Sequence, residues 1–237
     1  LYCETYVPKE TLSRVRAMTF ELKKVLRARL ERSPWMGEAT RRAAVRKLDA
    51  MVAVIGRPAQ WRFRSLELGK EAHPLVSRSR LARDNHQRML ALLAKPLDRR
   101  RCPRALLDTG ASYLWAQNAI MVSPALLQPP IADVADDALL YGRLGVIIAH
   151  ELCHGFDDQG RRFDERGQLR DWWDKEDERR YQALARRLAE QYSGYRLPAI
   201  GNVDGELTLG ENIADLAGLQ IAFTAFQRLL AQGRASK

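Results

Sequence analysis

"VIIAHELCHGFDD", residues Val146 to Asp158, is the stretch from which the chain is read. At its centre His150, Glu151 and His154 spell H-E-x-x-H. On an α-helix, positions i and i+4 leave one face about one turn apart, so both imidazoles project together. Two ring nitrogens at that spacing can reach a single Zn²⁺ at about 2.0–2.1 Å. Glu151 is rotated about 100° from His150, out of line for ligation but able to take a proton from a water that the metal polarises. Cys153 falls to the other side and reads as packing. The plain alternative is a surface helix that carries two histidines. The apolar run "VIIA" ahead of the motif speaks against it, because a buried histidine pair beside a glutamate needs partners.

A catalytic zinc needs a third protein ligand. No histidine follows at the close spacing H-E-x-x-H-x-x-G-x-x-H, so that arrangement is excluded. Glu211 in "TLGENIADLAGLQIAF" opens an apolar helix, where a carboxylate is costly without a partner. Asp215 is at i+4 from it and can accept from the free N–H of a ligand histidine, which fixes the tautomer. Asp157, three residues after His154, can do the same for the second histidine. The plain readings are a helix-dipole acid for Glu211 and a turn acid for Asp157.

Outward from the motif the chain reads as mainly α with a small β element. Residues 11–32 place Val15, Met18, Leu22, Leu26 and Leu30 at helical steps. Residues 33–58 repeat the pattern through Val45, Leu48, Met51, Val52 and Ile55, so the helix is expected to run to a stop at Gly56 and Pro58. A loop with one short helix is expected over 59–80, a helix over Asn85–Leu93, and a charged connector over 95–112. "SYLWAQNAIMVS" is the best strand, and "QPPIAD" a turn. Helices are expected over about 138–155, 174–193 (with Tyr181, Leu184, Leu188 and Tyr192 on its apolar side) and 209–231. A polar loop or small hairpin follows the motif, and "LPAIGNVDGELT" is loop. The whole is expected to be one domain, 1–237, with a helical part over 1–105 and a zinc-site part over 106–237.

Composition narrows the function classes. With 46% hydrophobic and 29% charged residues the chain is ordinary globular material. No apolar run reaches the roughly 18 residues of a membrane span. The net charge of +10 is spread along helical stretches as solvated faces, so no nucleic acid is expected as partner. Three separated cysteines without a C-x-x-C leave no cysteine zinc site, while a single disulfide stays open. Localisation is left open: no leader or anchor is expected within these residues, any such segment would lie upstream, and the stretch reads as part of something longer.

In its motifs the chain resembles the neprilysin family of zinc metallopeptidases. Residues 146–173, from the zinc helix through the paired Trp172 and Trp173, are similar to that family's H-E-x-x-H-G-F-D-D segment. "LGENIADLAGL" resembles its G-E-N-I-A-D signature, "NAIMVSPALLQPP" the segment ahead of the zinc helix, and "WMGEATRRAAVRKLDAMVAVIGRP" a helix further upstream. The resemblance implies a thermolysin-like zincin catalytic domain lacking the large helical lid. It implies Zn²⁺ held by His150, His154 and Glu211, Glu151 as base, and Asp157 and Asp215 behind the histidines. An ungapped match puts Gly110, Ala111 and Tyr113 on the family's Asn-Ala-x-Tyr substrate-binding segment, with Gly110 where the family has asparagine. The family's later segment with a histidine and an arginine is not in these residues, since His73 and His86 lie upstream. The implied function is zinc-dependent hydrolysis of small peptides. A second chain, or the remainder of a longer one, could supply the missing segment and lid. The alternative is a relative with altered hydrolytic or biosynthetic chemistry, or a zinc-binding subunit without activity of its own.

Overall fold

The computed structural model describes residues 2–58, 73–101, 108–132, 136–199 and 201–235. After a short α1 (Tyr2–Tyr6), helix α2 (Lys9–Glu31) carries the expected stripe inward: Val15, Met18, Leu22, Leu26 and Leu30 are all buried. Helix α3 (Glu38–Ala50) buries Ala44 and Leu48 against it. It does not run on to Gly56. The chain leaves the helix at Met51, and Val52–Ile55 form strand β1, paired in parallel with residues 119–122. Three of those four residues are β-branched, and the ladder supplies hydrogen bonds that a frayed helical turn would lack.

Helix α4 (Pro74–Leu93) starts eleven residues before the expected Asn85, with the His73 ring accepting from the Leu75 N–H at its start. The first part of the expected 59–80 loop lies outside the described residues, as does the middle of the 95–112 connector. The expected single strand is two, β2 (Ala111–Leu114) and β3 (Ala119–Val122), antiparallel and joined by a 3₁₀ turn over Trp115–Gln117. Asn118 closes the turn at φ 43°, a left-handed conformation that asparagine tolerates better than most residues. The sheet order is β1-β3-β2, which leaves β2 as an edge.

Helix α5 (Asp137–Leu140), a π turn (Tyr141–Gly145) and α6 (Val146–Cys153) run on without a break and carry the motif. The segment after it makes the small hairpin expected there, bridged at Phe163 and Leu169. Helix α7 (Lys175–Ser193) is capped by the Asp174 side chain and buries Asp177, Tyr181 and Ala189, whereas Leu184 is exposed. The loop before the last helix includes a two-residue pairing of β4 (Arg196–Leu197) with β5 (Gly201–Asn202). Helix α8 (Leu209–Ala231) lies along α6, and α2 backs them both. Leu22, Leu144, Ile148, Leu152 and Ile221 are fully buried where the three meet, each contributing about 1.5–3 kcal/mol of hydrophobic burial. No described helix is long and apolar enough to cross a membrane.

Candidate metal centre

Close packing of α6 and α8 brings the two motifs together, and Gly218 makes it close. A Cβ at Gly218 would lie 2.7 Å from the His150 backbone nitrogen and 3.0 Å from its Cα. With no side chain there, α8 rests on the motif helix at His150. Glu211 and Asp215, earlier on α8, then face the histidines.

His150, His154 and Glu211 form the one cluster of side chains among the described residues that could hold a metal ion, each offering an atom within 4.8 Å of the others. The His150 and His154 Nε2 atoms are 2.9 Å apart, and Glu211 Oε2 is 3.1 Å and 3.6 Å from them. Both Nδ1 atoms are engaged on the far side. His150 Nδ1 lies 2.8 Å from Asp215 Oδ1, and His154 Nδ1 lies 2.6 Å from Asp157 Oδ2. A carboxylate accepts, so each Nδ1 carries the proton and each Nε2 presents a lone pair. In that tautomer two lone pairs and a carboxylate oxygen converge on one point, an arrangement that a bound cation relieves. That donor set, two imidazoles and one carboxylate, fits a divalent cation such as zinc.

The supports differ in kind. Asp157 is 2% exposed, and its other oxygen accepts from the Gln159 and Gly160 backbone N–H groups at 3.0 Å and 2.6 Å. Gly160 is required for this return: a Cβ there would meet the His154 carbonyl oxygen at 1.7 Å. Asp215 and Glu211 are mostly exposed, the Glu211 side chain at 67%. The burial argument for Glu211 therefore fails, and its place follows from the helix packing instead. Burial alone would push the His154 imidazole down, but the hydrogen bond and charge of Asp157, with Glu151 and Glu211, outweigh it and hold the ring above the usual histidine value.

Glu151 is 7% exposed and lines a cavity of about 700 Å³ together with His150, His154, Glu211 and residues 111–117. Burial pushes its carboxyl up from the ordinary glutamate range, against the pull of the two histidines and a hydrogen bond from the Tyr113 backbone N–H. Ser123 N–H donates to the Gly110 carbonyl, so Gly110 faces β3, and the alternate residues Ala111 and Tyr113 turn their amides to the free edge of β2. The Tyr113 phenol is buried and donates to Asn118 Oδ1 at 2.8 Å, so what Tyr113 offers the cavity is backbone. A Cβ at Gly110 would meet nothing within 4 Å.

Two residues that sequence reasoning passed over hold this wall in place. Asn118 Nδ2 donates to the Lys47 and Glu165 carbonyls, and Lys47 Nζ donates to the Gly160 and Phe163 carbonyls, both at 2.6 Å. Lys47 is buried, and desolvation pulls its pKa down to about 7 against the charges of Asp157 and Asp164. Its helical position looked like one more solvated charge, and no local signal marks it. Cys3 and Cys153 are free and buried, and Cys102 lies outside the described residues.

A mainly helical domain with a three-stranded sheet flanking an H-E-x-x-H helix is a zincin-like peptidase fold. Models described as peptidase family M13 match residues 110–236 and 1–58, and the chain belongs to that zinc-dependent family. It is 32% identical to Neprilysin-1 of Caenorhabditis elegans over 97% of this chain and 32% of the relative. It is 34% identical to endothelin-converting enzyme 1 of Homo sapiens over 87% and 28%. Among solved structures it is similar to the Mycobacterium tuberculosis zinc metalloprotease Zmp1 bound to an inhibitor (36% identity, TM-score 0.83, 93% of this chain and 35% of that one). It is also similar to PepO of Lactobacillus rhamnosis (30%, TM-score 0.87, 94% and 36%). The chain thus spans about a third of the length of the relatives it matches.

Proposed function

We propose that this chain is the zinc-binding part of a metallopeptidase that hydrolyses peptide bonds in small peptides. The observation that carries the reading is the convergence of His150, His154 and Glu211 beside a buried Glu151 on the wall of one cavity. His150 and His154, through Nε2, and Glu211 would hold the metal, with Asp215 and Asp157 fixing the tautomers. When bound, zinc supplies Lewis acidity to a peptide carbonyl and to water.

The chain's own residues do the rest. Glu151, with its pKa raised by burial, takes the proton of the attacking water and returns it to the departing amine. The free edge of β2 takes the peptide as an added strand, through the outward amides of Ala111 and the carbonyl of Tyr113. Gly110, Ala111 and Tyr113 act as backbone in this scheme, and the open space at Gly110 leaves the peptide no side-chain amide to grip. The 1–105 part buttresses the 106–237 part, as one domain, through α2.

A second reading, in which a further polypeptide completes the enzyme, is supported by α8. Leu216, Leu219 and Phe223 are each more than half exposed on the side of the helix turned from Gly218.

Metal analysis before and after a chelator, with cleavage of a mixed peptide library by the parent and Glu151→Gln, tests these readings. About one zinc per chain and Glu151-dependent cleavage are expected. Zinc without cleavage favours the partner-dependent reading, and a chain that binds no zinc sinks both.

A further inference from the structure

Among the described tryptophans, Trp115 is the exposed one, at 46%, and it lines the same cavity as His150, Glu151, His154 and Glu211. Its indole stacks on Phe163, with ring centroids 6.0 Å apart and planes at 14°. Neither ring is free to wander. The Trp115 carbonyl accepts from the Asn118 N–H, Asn118 is tied to Lys47 and Glu165, and Arg99 Nε donates to the Gln117 carbonyl at 2.6 Å. The Phe163 carbonyl is held by Lys47 Nζ and by Trp172 Nε1. Two stacked rings thus stand on tied-down backbone, and the outer one, Trp115, lines the cavity. A half-exposed aromatic so fixed does little for the core and much for a ligand, because stacking on it requires no reordering.

We propose that Trp115, backed by Phe163, is a specificity-determining platform for an aromatic side chain of the bound peptide, about two residues from the cleaved bond. This rests on the peptidase reading above. The distance follows from the strand. The Tyr113 amide lies on the free edge of β2, and Tyr113 lines the same cavity as Glu151, which puts the reacting carbonyl near Tyr113; Trp115 is two residues further along. Because β2 ends at Leu114 and Trp115 opens the 3₁₀ turn, an added strand at about 3.3 Å per residue reaches the indole at the end of β2, about two of its own residues on. Leu114, which also lines the cavity, extends the apolar surface toward Tyr113. The Arg99 guanidinium, bonded to the Gln117 and Asn118 carbonyls, places a cation at the end of this turn, so an aromatic ring is taken in preference to a lysine.

The test is calorimetric binding to the zinc-loaded Glu151→Gln chain. The probes are blocked hexapeptides of alanine and serine with one phenylalanine moved through each position. One position is expected to bind about three- to tenfold more tightly than its alanine counterpart, the range that an aromatic pair supplies. Adding Trp115→Ala should erase that preference, and Trp115→Phe should keep most of it while melting like the parent. The proposal is overturned if Trp115→Ala retains the preference, if no position is preferred, or if lysine serves as well as phenylalanine. If the zinc-loaded chain binds none of the peptides, the peptidase reading falls with it. Binding without dependence on Trp115 sinks the platform alone.

Discussion

Replacing Gly218 with alanine sets two effects of known size against each other. In an open helix position glycine to alanine stabilises by roughly 0.5–1 kcal/mol through backbone entropy and propensity. Here the added Cβ would stand 2.7 Å from the His150 nitrogen, about 0.7 Å inside the 3.4 Å at which ordinary contact begins. Its neighbours are backbone atoms of the motif helix, so no side chain can swing aside, and α8 must move off α6. Overpacking of this kind costs about 1–3 kcal/mol, which exceeds the propensity gain, so the melting temperature should fall. The displacement also acts on the candidate metal site. Glu211 Oε2 is 3.1 Å and 3.6 Å from the two Nε2 atoms, and Asp215 Oδ1 is 2.8 Å from His150 Nδ1.

Metal–ligand distances tolerate about 0.2 Å, so a 0.7 Å separation is partly absorbed by Glu211 rotamers and partly lost. Disturbing ligand orientation costs about 10–100-fold in metal affinity. Zinc competition against a fluorescent chelator at neutral pH, with thermal melts of the metal-free chains, reads both effects. A Gly218→Ala chain that melts above the parent and binds zinc equally well would refute the claim that close helix approach assembles the site.

Further outcomes test other parts of the site. Glu151→Gln should leave zinc stoichiometry at one per chain while cleavage falls about 10²–10⁴-fold, as measured on the best library peptide. Asp157→Ala should weaken zinc binding more than Asp215→Ala does, because Asp157 is buried and also holds two backbone N–H groups, whereas Asp215 is exposed; chelator competition ranks them. Gly110→Asn should shift the melting temperature hardly at all, since nothing lies within 4 Å of its Cβ, and should lower KM for peptides. Lys47 sets a pH dependence. The folded chain gives up the Lys47 proton near pH 7, while the unfolded chain keeps it to about 10.5. Folding then releases a proton between those values, and stability rises with pH across that window. Urea melts at pH 7 and 9 should show the parent gaining on Lys47→Met; equal shifts in both would contradict it.

What could be read in the chain and what could not divide along one physical line. Helices α2 and α8 were legible because apolar residues at helical steps and, for α8, the glycine that follows it act over a few residues, and the 209–231 span agrees at both ends. Val52–Ile55 was misread because a strand of four residues owes its form to β3, 67 positions away, and its apolar pattern continues that of α3. The break in "SYLWAQNAIMVS" turns on one residue, Asn118, whose side chain is satisfied by Tyr113, Lys47 and Glu165 rather than by its neighbours. The meeting of Glu211 with the histidines could be foreseen from residue types alone, but the reason first given, burial of its carboxylate, does not hold. Glycine supplies the reason instead. Gly218 has no side chain to signal with, and its effect exists only once α6 lies against it. A motif therefore announces which atoms can share a metal, while the residues that bring those atoms together are the ones least visible in the chain: a glycine, a buried lysine and an asparagine in a left-handed turn.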